Sequence, residues 1–115
     1  MMTEIEQARH VRERGDILRT LKEDYLADMT SVESLARALD AQGISLSPEG
    51  LVFHLIYLEQ QGYVRIWRMR DLPQYRTDRR GRRIAKPDAV MFTKLQPKGL
   101  QLIDGQIPVD PLVAF

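Results

Sequence analysis

Few side chains in this chain are equipped for chemistry. Cysteine is absent, which removes disulfides, thiol nucleophiles and thiolate metal ligands, and fits a reducing compartment. The two histidines, His10 and His54, fall on different expected helices and lack the i, i+4 spacing that sets paired imidazoles on one metal. His54 lies among Leu51, Phe53 and Leu55 and reads as a structural histidine, so no metal site is assigned. Carboxylates are plentiful, but none belongs to a recognisable acid–base pair, and no glycine-rich phosphate loop is present. The expectation is a non-enzyme with no catalytic residue and no cofactor.

What remains is charge. The formal net charge is only +1, yet it is unevenly placed. Residues 63–88 hold nine basic groups against three acids, Asp71, Asp78 and Asp88. The other 89 residues hold eight basic and thirteen acidic groups. A local basic patch attracts polyanions whatever the overall balance. Arg65, Arg68, Arg70, Arg76, Arg79, Arg80, Arg82, Arg83 and Lys86 are therefore the candidate phosphate-contacting residues.

These groups need elements to carry them. At 115 residues, 43% hydrophobic and 29% charged, the chain suits one globular domain. No apolar run approaches the length of a membrane span, and the acidic start is unlike a signal peptide, so a cytoplasmic location is expected. Val11, Ile17, Leu18, Leu21 and Tyr25 share one face of a first helix from about Ile5 to Ala27, and Gly15 within it marks a close packing contact. A second helix starts at Thr30 or Ser31, where Thr30 and Glu33 have capping-box spacing. Val32, Leu35, Ala36 and Leu39 form its buried stripe, and Gly43 suits a left-handed cap. The third helix is announced by Ser47, Pro48 and Glu49 and ends at Gly62. Tyr63–Arg70 and Ala89–Thr93 read as strands, joined by a long basic connection over 71–87. A short last helix begins at Pro97, and an apolar, proline-broken tail over 106–115 is expected to be extended.

Three helices followed by a two-stranded hairpin is the order of a winged helix. The stretch Leu58-Glu59-Gln60-Gln61-Gly62-Tyr63-Val64 resembles that superfamily's junction between the third helix and the first wing strand. Phe92-Thr93-Lys94-Leu95-Gln96-Pro97-Lys98-Gly99-Leu100 is similar to its post-wing helix start, with Gln96 where a threonine cap is usual. The layout also resembles small winged-helix proteins encoded in Mu-like prophages. The resemblance implies an α+β fold: a three-helix core, a two-stranded β-wing, a short C-terminal helix and a tail. Residues 1–105 would form the domain and 106–115 the tail. It also implies DNA association of the kind used in transcription regulation, with the third helix in the major groove and the wing on phosphates.

The third helix does not suit base reading. From Pro48 to Gln61 it contains no Lys or Arg, whereas direct readout leans on such residues. Leu51, Val52, Phe53, Leu55, Ile56, Tyr57 and Leu58 run nearly around it, more than one buried face requires. Phe53, Ile56 and Tyr57, with Leu112 and Phe115 of the tail, are thus candidate contacts of a homodimer or a protein partner. Two functions stand side by side: DNA association through an arginine-rich wing, and a protein–protein adaptor that keeps the fold without reading DNA.

Overall fold

Helix α1 spans Glu4–Glu23 in the computed structural model, which describes residues 3–73, 80–82 and 86–115. Thr3 caps it, accepting from the Glu6 N–H. Ile17, Leu18 and Leu21 are fully buried along one face, as their spacing predicts. The helix stops at Glu23 rather than Ala27, because the chain turns through Asp24–Ala27 with backbone bonds back to Leu21, Lys22 and Asp24. Lys94 fastens this turn, its Nζ donating to the carbonyls of Tyr25 and Ala27.

The next two residues correct the expected two-stranded sheet. Thr30–Ser31 form a short strand, β1, paired antiparallel with residues Thr93 and Phe92. Thr30 therefore does not cap the second helix. Ser31 does, its hydroxyl accepting from the Ser34 N–H at 3.0 Å, and α2 covers Val32–Ala41. The extended backbone of Ser31 serves both as the last residue of the strand and as the cap, so the helix starts one residue later than Thr30 would set it.

Helix α3 spans Pro48–Gln60, begun by the Ser47 cap and Pro48 as expected. Its Leu51, Leu55 and Leu58 are buried with Leu35 and Leu39 of α2. Gly62 follows at φ 81°, a left-handed conformation that side chains with a Cβ adopt at a cost, and it turns the chain directly into the sheet. Strand β2 (Val64–Arg68) pairs antiparallel with β3 (Val90–Leu95), giving a three-stranded sheet in the order β1-β3-β2. β2 is shorter than the expected Tyr63–Arg70. Asp71 accepts the Arg68 N–H at 2.9 Å and winds Met69–Asp71 into one turn of 3-10 helix. A register shift falls between Trp67 and Arg68. The ribbon still continues, through Met69 N–H to the Ala89 carbonyl and Arg70 N–H to the Pro87 carbonyl.

Helix α4 (Pro97–Ile103) starts without a side-chain cap at Gln96; the Gln96 N–H instead donates to the Tyr63 carbonyl. The tail is less extended than the prolines suggest. Asp110 accepts the Leu112 N–H at 2.9 Å and its own carbonyl accepts from Val113, making a turn that buries Val113. The tail then crosses α1 at Gly15. An added Cβ there would lie 1.7 Å from the Ala114 carbonyl oxygen, so the close contact expected at this glycine is the crossing of the tail. No described helix is long and apolar enough to cross a membrane.

Candidate nucleic-acid interface

The expected cationic residues divide into three groups. Arg76, Arg79 and Arg83 lie outside the described residues. At the base of the ribbon, arginines are held by the protein itself. Arg68 donates through Nη1 to the Asp88 carbonyl at 3.0 Å, and Arg70 pairs with the Asp88 carboxylate at 2.7 Å. Arg65 stacks its guanidinium over the Trp67 ring, 4.4 Å from the centroid, which fixes its planar face while leaving the residue exposed. Such stacking preorganises a guanidinium for further hydrogen bonds.

Farther along, Arg80, Arg82 and Lys86 are exposed, and Arg80 and Arg82 each already interact within the chain. Described cations along 63–88 are therefore Arg65, Arg68, Arg70, Arg80, Arg82 and Lys86, set against Asp71 and Asp88 alone. The Arg70–Asp88 pair is open to water on both sides, with 59% and 72% of the side chains accessible. Exposed ion pairs are worth little, so a phosphate can compete for Arg70.

Beside the ribbon, α3 presents a different chemistry. Glu49 and Phe53 are exposed, and with Pro48, Val52 and Ile56 they line a groove closed on its other side by Lys86, Asp88, Ala89 and Val90. Its helix wall offers a carboxylate and apolar surface. Neither donates a hydrogen bond to a base edge.

The five expected interface residues do not share one environment. Phe53 is 56% exposed, Leu112 47% and Phe115 49%, while Ile56 and Tyr57 are half-buried. Tyr57 is covered by Arg14, whose guanidinium lies 4.2 Å from the ring centroid and donates to the Leu112 carbonyl at 3.1 Å. Desolvation first, then the Asp110 charge, raises the Tyr57 hydroxyl above its ordinary pKa. Arg14 thus joins α1, α3 and the tail. No spacing rule marks this residue in the sequence, since its partners lie far along the chain.

The fold also brings together the two histidines that the sequence leaves apart. His10 Nδ1 and His54 Nε2 are 3.3 Å apart, with the Glu13 carboxylate beside both. No family model, curated protein or solved structure matches this chain.

Proposed function

We propose that the chain is a winged-helix protein that associates with duplex DNA through the β2–β3 ribbon, holding phosphates without reading sequence. The observation that carries this reading is the division of charge. The basic surplus sits on the ribbon and its connection, and the adjoining helix α3 has no Lys or Arg. The element order α1, β1, α2, α3, β2, β3 is compatible with the fold. Contacts from arginine to phosphate position a protein on a duplex but carry no base information. On its leading turns α3 exposes Glu49 and Phe53, neither of which donates to a base edge. Two labelled duplexes of unrelated sequence test this in fluorescence anisotropy. Their Kd values are expected to agree within about threefold; a preference of roughly a thousandfold, the lower bound for specific readers, would return the reading role to α3.

A second reading rests on the groove beside α3. Val52, Phe53 and Ile56 meet Ala89 and Val90 there, and Phe53 is more than half exposed. An adaptor or homodimer would cover these side chains, each worth up to about 1.5–3 kcal/mol on burial. Light scattering decides. A dimer weakened by Phe53→Ser supports this reading, and a monomer at high micromolar concentration sinks the homodimer.

A further inference from the structure

We propose that His10, Glu13 and His54 form a site for one borderline divalent cation of the zinc class, bound by two imidazoles and a carboxylate. His10 and Glu13 are one helical turn apart on α1, and His54 faces them from α3. The ring nitrogens His10 Nδ1 and His54 Nε2 are 3.3 Å apart. Glu13 places Oε1 3.5 Å from His10 Nδ1 and Oε2 3.9 Å from His54 Nε2. When zinc binds nitrogen or oxygen at about 2.0–2.1 Å with tetrahedral angles, two ligand atoms lie about 3.3 Å apart. The two ring nitrogens are thus spaced like one tetrahedral edge, Glu13 turns a different oxygen toward each, and one ligand atom from each of the three residues fits within 4.8 Å of the others.

A histidine pair bridged by a hydrogen bond explains only the shortest of these distances. The two carboxylate separations are too long for good hydrogen bonds, which run to about 3.2 Å. Glu13 is nevertheless 8% exposed as a residue, and its closest cation is the Arg9 Nε at 3.8 Å. The carboxylate therefore sits among Arg9, His10 and His54 at 3.5–3.9 Å, and a dication between the three proposed ligands would draw it into closer contact.

The donor chemistry agrees. His54 is 0% exposed. Its Nε2 faces His10 and Glu13, so the ring is aimed at the two other donors. Two imidazoles and one carboxylate suit zinc and its neighbours better than calcium or magnesium, which take oxygen ligands. The His10 side chain is 28% accessible, which marks the solvent side and leaves a fourth position for water.

Two features weaken the site without closing it. Arg9 and Arg14 add positive charge nearby, but Arg9 is 67% accessible at its side chain and can turn outward, and Arg14 is engaged by Tyr57 and Leu112. His54 Nδ1 is buried with no hydrogen-bond partner, so it lacks the outer support that strengthens many metal-bound histidines. A bound ion would tie α1 to α3.

The test uses the full chain without a histidine tag, stripped by chelator and titrated with zinc chloride by calorimetry, beside thermal unfolding. One equivalent is expected to bind. At a hundredfold excess over Kd, Tm should rise by roughly 10 °C. His10→Ala and Glu13→Gln should each cut the affinity at least tenfold. His10 is partly accessible, so the test survives on His10→Ala if His54→Ala or Glu13→Gln fails to fold. Cobalt chloride should give the intense visible absorption of a tetrahedral site, lost in His10→Ala. Absence of saturable uptake, or uptake unchanged in His10→Ala, would overturn the proposal and leave a histidine pair joined by a hydrogen bond.

Discussion

Replacing Gly15 by alanine should destabilise this protein, although alanine is the better helix former. The tail crosses α1 so closely at residue 15 that a Cβ would lie 1.7 Å from the Ala114 oxygen and 2.7 Å from its carbonyl carbon. Both obstacles are backbone, so the tail must lift. Lifting it exposes Val113, which is 3% accessible, at about 1.5–3 kcal/mol. It breaks the bond from Ala114 N–H to the Val11 carbonyl, 3.1 Å long, worth about 1 kcal/mol. It also strains the Arg14–Leu112 contact. Against this, alanine gains about 1 kcal/mol of helix propensity. The net loss should be about 2–4 kcal/mol, read from urea unfolding followed by circular dichroism. The same substitution in a chain ending at Pro111 meets no tail, and there it should stabilise by about 1 kcal/mol. The sign reverses between backgrounds. An equal effect in both chains would refute the assignment of Gly15 to the tail crossing.

Three further outcomes follow from the same contacts. Removing the residues after Gln106 deletes Val113, the Arg14–Leu112 bond and the Tyr63–Asp110 bond, so Tm should fall; an unchanged melting temperature would contradict the packed tail. Tyr63→Phe alone removes the hydroxyl that donates to Asp110 at 2.7 Å and should cost about 1–3 kcal/mol, a loss that denaturant titration detects. Stability measured with chelator present should fall in acid through His54. Its folded pKa of about 4 lies below the ordinary 6.5, so its contribution is complete above 6.5. It is lost as pH drops toward 4, where the unfolded chain takes a proton that the fold resists, by up to roughly 3 kcal/mol. His54→Gln should flatten that window of the profile, and a slope retained in this variant would assign it to other groups.

The helices are legible because their signals are local. Ser47 and Pro48 mark the start of α3 through groups within one turn, and Ile17, Leu18 and Leu21 reveal their face by spacing alone. β1 is not legible, because a strand of two residues has no period and its pairing with Phe92 and Thr93 depends on the whole fold. Gly15 announces a close approach, but not which segment approaches. The basic surplus of the ribbon is visible from composition, whereas Asp88 holding both Arg68 and Arg70 is not. His10, Glu13 and His54 stay hidden for the same reason: only the packing of α1 on α3 makes them neighbours.

The salt dependence of duplex binding tests most directly whether the ribbon carries the function. Affinity for one labelled duplex should be measured across a range of salt concentrations, for the wild type and for a variant with Arg79, Arg80, Arg82 and Arg83 replaced by alanine. If about four arginines meet phosphates, log affinity should fall against log salt with a slope of about −3.6, at roughly 0.9 per phosphate. The variant should lose most of that slope, and Glu49→Ala should change it little. Tight binding that survives the four replacements, or no binding at low salt, would contradict the account.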